Sequence, residues 1–120
     1  MNHLLISLVV SISHAILQYL SYQVGRKFLN SMDSATFQFH HEDHTLGNAL
    51  RFMLARKPSV QFAGYCVPHP SESTMNVRVQ CEKGSRAETV VDEALDDLST
   101  VFSDISVAFE KAIINHRRNK

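Results

Sequence analysis

Two stretches of the chain alternate apolar and polar residues with a period of two, and two others repeat apolar residues every three or four. From Thr36 to His41, Phe37, Phe39 and His41 fall on one side and Thr36, Gln38 and His40 on the other, the pattern of a half-buried strand. Glu42-Asp43-His44-Thr45 then places acidic and capping residues directly before Leu46, Ala49, Leu50, Met53 and Leu54. That second pattern predicts one amphipathic helix, which Pro58 stops because the residue before a proline avoids the α region. Arg56 and Lys57 suit the negative end of its dipole. Val60 to Val67 is the next strand candidate, with Gly64 inside it as a possible bulge or close-approach point. Pro68-His69-Pro70-Ser71 must be irregular, since two prolines remove two backbone donors. Met75, Val77, Val79 and Cys81 alternate with Asn76, Arg78, Gln80 and Glu82, the clearest strand in the chain, and Lys83-Gly84-Ser85 turns it around.

From Arg86 to Arg117 there is neither glycine nor proline. Val91, Leu95, Leu98, Phe102, Ile105, Phe109, Ala112 and His116 recur at alternating spacings of four and three, a heptad seam that Ala94, Val101 and Ile113 broaden. Acidic residues (Glu88, Asp92, Glu93, Asp96, Asp97) crowd its first half and Lys111, Arg117, Arg118 and Lys120 its end, as the helix dipole favours. The predicted order is therefore strand, helix, strand, strand, helix, a two-layer α+β domain. A helix of about 30 residues is ~45 Å long. A compact domain of about 85 residues is only ~30 Å across. The helix must overhang its own sheet while its apolar seam continues, leaving Phe109, Ala112 and Ile113 in water at a loss of ~1.5–3 kcal/mol for each large side chain. Such a patch predicts a protein partner.

Composition narrows the picture. The chain has 120 residues, 44% of them hydrophobic, and twelve basic residues balance twelve acidic ones. That is room for one modest core, with no net field to hold nucleic acid. Cys66 and Cys81, the two cysteines, sit in strand-like apolar context, which points to buried thiols and a reducing compartment rather than a disulfide. Residues 1–31 differ from the rest: LLISLVVSISHAILQYL (residues 4–20) is nearly all apolar or small, no basic residue precedes it, and Arg26 and Lys27 follow. With Met32 opening a natural start, residues 1–31 are expected to be an appended apolar extension rather than a membrane anchor, and residues 32–120 the working domain.

Catalytic chemistry finds little support. His40, His41 and His44 are close in sequence, but adjacent strand residues point to opposite faces, and no Cys or His pair has zinc spacing. Asp43-His44 with Ser71 or Ser73 lacks a nucleophile elbow. No catalytic residue, metal or cofactor is expected. Gly47, in mid-helix at a cost of ~1 kcal/mol against alanine, predicts a close helix-to-helix approach.

Two motifs carry a resemblance. HHEDHTLGNALRFML closely resembles the signature of the small α-like subunits of archaeal and eukaryotic RNA polymerases, and FAGYCVPHPSESTMNVRVQ resembles that family's second signature. HPSES followed by NVRVQ is more similar to the small subunit shared by RNA polymerases I and III than to its polymerase II counterpart. The resemblance covers residues 36–117. It implies a β-α-β-β-α domain like the bacterial α dimerisation domain; members of the family form a heterodimer with a larger α-like subunit, and that dimer nucleates assembly of the large catalytic subunits, here expected in the nucleus and nucleolus. By that resemblance Leu46, Gly47, Leu50 and Leu54 pack the first helix at the dimer seam. Leu98, Phe102, Ile105 and Phe109 pair the long helix with its equivalent, and Ala112 and Ile113 extend the face. His44, Thr45 and Asn48 order the strand-to-helix turn. No direct sequence-specific nucleic-acid contact and no membrane are implied. The polymerase II counterpart, a self-dimerising regulatory module, a membrane-anchored protein using residues 4–20 and a small metalloenzyme are the alternative readings.

Overall fold

The computed structural model describes residues 24–29, as backbone, and 32–120. The apolar run 4–20 lies outside the described residues, and no helix among those described is long and apolar enough to cross a membrane. Strands β1 (Val24–Leu29), β2 (Ser34–His40), β3 (Val60–Cys66) and β4 (Thr74–Cys81) form one antiparallel sheet in the order β1-β2-β4-β3. Helix α1 (His44–Ala55) connects β2 to β3, and the 32-residue α2 (Ala87–Arg118) closes the chain. The β-α-β-β-α order predicted from residue 36 onward is present, and β1 adds an edge strand from the N-terminal side of Met32.

Alternation decides which side of the sheet is covered. Ala35, Phe37 and Phe39 of β2 and Met75, Val77, Val79 and Cys81 of β4 all point inward, where they are buried. The pairing register sets Phe37 opposite Val77 and Phe39 opposite Met75, so the central strands present one continuous apolar surface. Leu46, Leu50 and Leu54 of α1 and Ala87, Val90, Val91, Ala94, Leu95 and Leu98 of α2 cover it and complete the core. The opposite face of these strands carries Thr36, Gln38, Asn76 and Arg78, with Arg78 Nη1 donating to Thr36 Oγ1 at 3.3 Å.

Several details differ from the sequence expectation. β2 ends at His40, because His41 adopts φ +60°, a left-handed conformation that turns the chain toward α1 and leaves the side chain exposed. The His41 backbone N–H donates to Ser73 O at 2.6 Å, tying this corner to the start of β4. The irregularity in β3 falls between Val60 and Phe62 rather than at Gly64. The two thiols also part company. Cys81 points into the core and burial pushes its pKa up, whereas Cys66, on the outer face of the edge strand opposite Asn76, is exposed. In the native protein a maleimide is therefore expected to label Cys66 quickly and Cys81 only on unfolding; equal rates by mass spectrometry would contradict this placement.

Lysine 57, just past α1, fastens the two helices. Its Nζ lies 3.0 Å from Asp97 Oδ2 and 3.5 Å from Glu93 Oε2. The hydrogen bond to Asp97 leads the effects that raise the lysine pKa. Because the folded value lies above the unfolded one, this stabilisation is complete below the unfolded lysine pKa and fades as pH climbs through the folded value, above pH ~10.4. Both carboxylates are more than half exposed, so Lys57→Met should cost no more than about 1 kcal/mol in a denaturant titration at pH 7.

Candidate functional site: a helix face left open

Helix α2 presents one apolar stripe to two environments. On a 3.6-residue helix, Ala87, Val91, Ala94, Leu95 and Leu98 lie on the same side as Val101, Phe102, Ile105, Phe109 and Ala112. The first five are buried beneath the sheet and α1. Beyond Leu98 the same stripe opens: Val101 and Phe102 are each 38% exposed, Ile105 56% and Phe109 55%. The cause is length. At 1.5 Å per residue the 32-residue helix spans ~48 Å, and the 20 residues after Leu98 carry it ~30 Å beyond its last core contact. Ala112 is exposed and Ile113 half-buried. Ser106 is buried and donates from Oγ to Phe102 O at 3.1 Å, within the helix.

Where the stripe emerges, α1 lies alongside and the two helices form an open groove of about 520 Å³. His44, Thr45, Asn48, Ala49, Phe52, Met53 and Arg56 line it from α1 and its end, and Leu98, Val101 and Phe102 from α2. Phe52 is 54% exposed and its ring carries the Arg56 guanidinium 5.4 Å from the centroid. Sequence reading passed over Phe52. Its signal was an aromatic residue on the otherwise polar side of α1, beside Thr45, Asn48 and Arg51.

The expected seam residues of α1 are placed differently. Leu46, Gly47, Leu50 and Leu54 are all buried against this chain's own sheet, and Leu98 is buried with them. A domain this small has few apolar residues with which to cover its sheet, and the single stripe of α1 is used for that. Gly47 likewise permits a helix-to-sheet approach, not a helix-to-helix one. A Cβ there would stand 2.6 Å from Tyr65 Cε2 and 2.7 Å from Met75 Sδ, closer than real contacts allow. Gly47→Ala should therefore destabilise the domain by about 1–3 kcal/mol despite the better helix propensity of alanine, since Tyr65 and Met75 must both move. A denaturant midpoint equal to or above that of the parent would refute the contact.

The turn ahead of α1 is ordered by its own residues. Asp43 is the N-cap, accepting from Thr45 N at 3.0 Å through Oδ1. His44 Nδ1 lies 3.0 Å from the Tyr65 hydroxyl, and the two rings meet edge-on at 5.6 Å between centroids. That pair joins the start of α1 to β3, so the two sequence motifs are in direct contact. Asn48 Oδ1 accepts from Arg51 Nη2 at 3.2 Å on the exposed side of the helix. Burial, then the neighbouring Asp43 carboxylate, raise the Glu42 pKa within the same turn. The second motif closes on itself, with His69 Nδ1 accepting from Ser71 N at 3.2 Å. Among the described residues no group of His, Cys, Asp and Glu is arranged to hold a metal ion.

A two-layer α+β module that leaves an apolar helix face unburied among its described residues has the features of a pairing domain. The RNA polymerase Rpb3/Rpb11 dimerisation domain matches residues 34–108, and the chain belongs to that family. The matched region starts with β2 and extends ten residues past Leu98, into the open part of α2. Among curated proteins, the DNA-directed RNA polymerases I and III subunit RPAC2 of Schizosaccharomyces pombe is 42% identical over 82 residues, covering 68% of this chain and 66% of that one. The DNA-directed RNA polymerases I and III subunit rpc19 of Dictyostelium discoideum is 42% identical over 81 residues, 68% of this chain and 70% of the relative. The RPAC2 subunit of Saccharomyces cerevisiae is 41% identical, and there the match spans 56% of the relative. The chain thus spans a little over half to about two thirds of these relatives. Among solved structures, DNA-directed RNA polymerase subunit L of Thermoplasma acidophilum superposes with a TM-score of 0.66 over 79% of this chain and 93% of that one, at 21% identity. That likeness bears on the fold.

Proposed function

We propose that this chain is a non-catalytic assembly subunit of DNA-directed RNA polymerases I and III. It pairs with a larger α-like subunit and so nucleates the association of the large catalytic subunits, in the nucleus and nucleolus. The observation that carries the reading is the α2 stripe, which is core up to Leu98 and open from Val101 to Phe109. The pairing surface is Val101, Phe102, Ile105, Phe109, Ala112 and Ile113 on α2, with Phe52 across the groove on α1. Leu46, Gly47, Leu50, Leu54 and Leu98 act behind it by fixing the angle at which α1 and α2 present that surface. His44, Thr45 and Asn48 hold the α1 end of the groove in place. Membership of polymerases I and III rests on relatives of that name that are 42% identical to this chain over 82 and 81 residues.

Co-expression with a larger α-like subunit tests the pairing. The two chains should co-elute at one-to-one stoichiometry, and Phe52→Ser should weaken the complex while leaving this domain's own melting unchanged. A chain that forms a stable homodimer and ignores the larger subunit would make it a self-pairing module instead.

A further inference from the structure

Charge is distributed unevenly around the α1–α2 groove. The chain as a whole is neutral, with twelve basic and twelve acidic residues. Helix α1 itself holds no aspartate or glutamate, and Arg51 within it and Arg56 at its C-cap are both exposed. Among the described residues neither arginine makes an ion pair: Arg51 donates to Asn48, and Arg56 lies over the Phe52 ring. Lys57, the next residue, is the contrast, since Asp97 and Glu93 of α2 both reach its Nζ. The carboxylates that α2 offers at this end of α1 go to Lys57, and Arg56 keeps its charge uncompensated.

Where that charge stands is the informative part. The wall supplied by α2 is apolar (Leu98, Val101 and Phe102), and Phe52 and Met53 face it from α1. Among the described residues lining the groove, Arg56 alone is an arginine or lysine. The dipole of α1 accounts for a cation at this end of the helix but not for its aim. The guanidinium stands 5.4 Å from the Phe52 centroid, four residues back along the same side. Stacking on the ring limits the rotamers of a long side chain and holds its planar donor fork at the rim. Phe52 is itself half exposed, so ring and guanidinium form one platform. A partner that covers Phe52 and Phe102 must also take Arg56 out of water. A guanidinium cannot shed its proton, and a buried charge without a counterion opposes association. The surface that fits this groove therefore brings its own carboxylate.

We propose that Arg56 reads charge on the pairing face: it takes an aspartate or glutamate of the larger α-like subunit in a two-pronged salt bridge at the edge of the apolar contact, with Phe52 holding the guanidinium flat. The open stripe of α2 supplies affinity but accepts any apolar surface of the right shape. The Arg56 pair supplies the selection, because a surface presenting lysine there, or nothing polar, is penalised. The inference rests on pairing with the larger α-like subunit and adds the chemistry of that subunit's surface.

The test is binding of the full chain to the larger α-like subunit. Arg56→Gln should weaken the complex about tenfold and Arg56→Glu about a hundredfold or more, with the circular dichroism of each chain alone unchanged. Affinity of the parent should fall as ionic strength rises, and less steeply in Arg56→Gln. In Arg56→Lys, a carbodiimide should join the introduced amine to one carboxylate of the larger subunit, a cross-link absent from the parent complex that peptide mass spectrometry locates. Exchanging that carboxylate for lysine should restore binding to Arg56→Glu. Arg56→Glu binding as tightly as the parent, or no such cross-link in Arg56→Lys, would overturn the proposal while the pairing itself stands. A parent chain that does not bind the larger subunit would remove the pairing instead, and the proposal with it.

Discussion

Replacing Phe102 or Ile105 by aspartate is expected to abolish pairing while the domain itself folds normally. Both side chains belong to the open stretch of α2, 38% and 56% exposed, so a charge there meets water in the unpaired chain and costs it little. In the proposed complex the same carboxylate would be buried against the partner with nothing to neutralise it. The penalty for a buried, unpaired charge is about 3–5 kcal/mol, or two orders of magnitude or more in affinity. Co-purification with the larger α-like subunit should disappear, while the circular dichroism of the variant alone should match that of the parent. Undiminished association in both variants would remove the helix face from the interface.

The opposite behaviour is expected one layer down. Leu50 is wholly buried beneath the sheet, in contact with the same core as Phe39, Met75 and Val77. Leu50→Ala removes three carbons from a fully buried site, at a cost of about 2–5 kcal/mol. For a domain of this size each kcal/mol is worth roughly 4–8 °C in Tm, so the loss is visible by melting alone. Leu50→Met, which conserves volume, should cost under about 1.5 kcal/mol. The comparison with Phe52→Ser, two residues away on α1, is the informative one. Leu50 should govern melting and Phe52 should govern pairing. If Leu50→Ala weakened pairing with no change in melting, the packing of α1 against its own sheet would be wrong.

That contrast also shows what one stripe of apolar residues can and cannot reveal. Periodicity located α1 and α2 to within a few residues, and the alternation from Met75 to Cys81 located β4, because a core-facing side repeats at the period of its element. It also located the overhang of α2, since an unbroken seam of that length exceeds what a small sheet can cover. Periodicity does not say which neighbour covers a stripe. Leu46, Leu50 and Leu54 fit a partner and a sheet equally well on spacing, and only the packed fold assigns them to the sheet. β1 escaped notice for a related reason: Val24–Leu29 is six residues long and holds a glycine and two adjacent basic residues, so no period of two emerges. Phe52 escaped because it stands alone on its side of the helix, and its groove exists only once α2 is laid beside α1.

The turn before α1 illustrates how much of a site can be local. The Asp43 cap on Thr45 follows from residue chemistry, since a carboxylate caps a helix, whereas the left-handed His41 ends a strand whose alternation runs on through that residue. The His44–Tyr65 contact joins residues 21 positions apart and depends on β3 lying beside α1. Gly47 ties the two levels together: its small size is a local property, and the reason for it is the Tyr65 ring held by that distant contact.

Pairing within RNA polymerases I and III is tested by affinity purification of the tagged protein from its own cells, followed by mass spectrometry of the chains that accompany it. Large subunits of polymerases I and III, together with one larger α-like chain in equal amount, are the predicted result. Recovery of polymerase II subunits alone, or of no polymerase subunit at all, would contradict it.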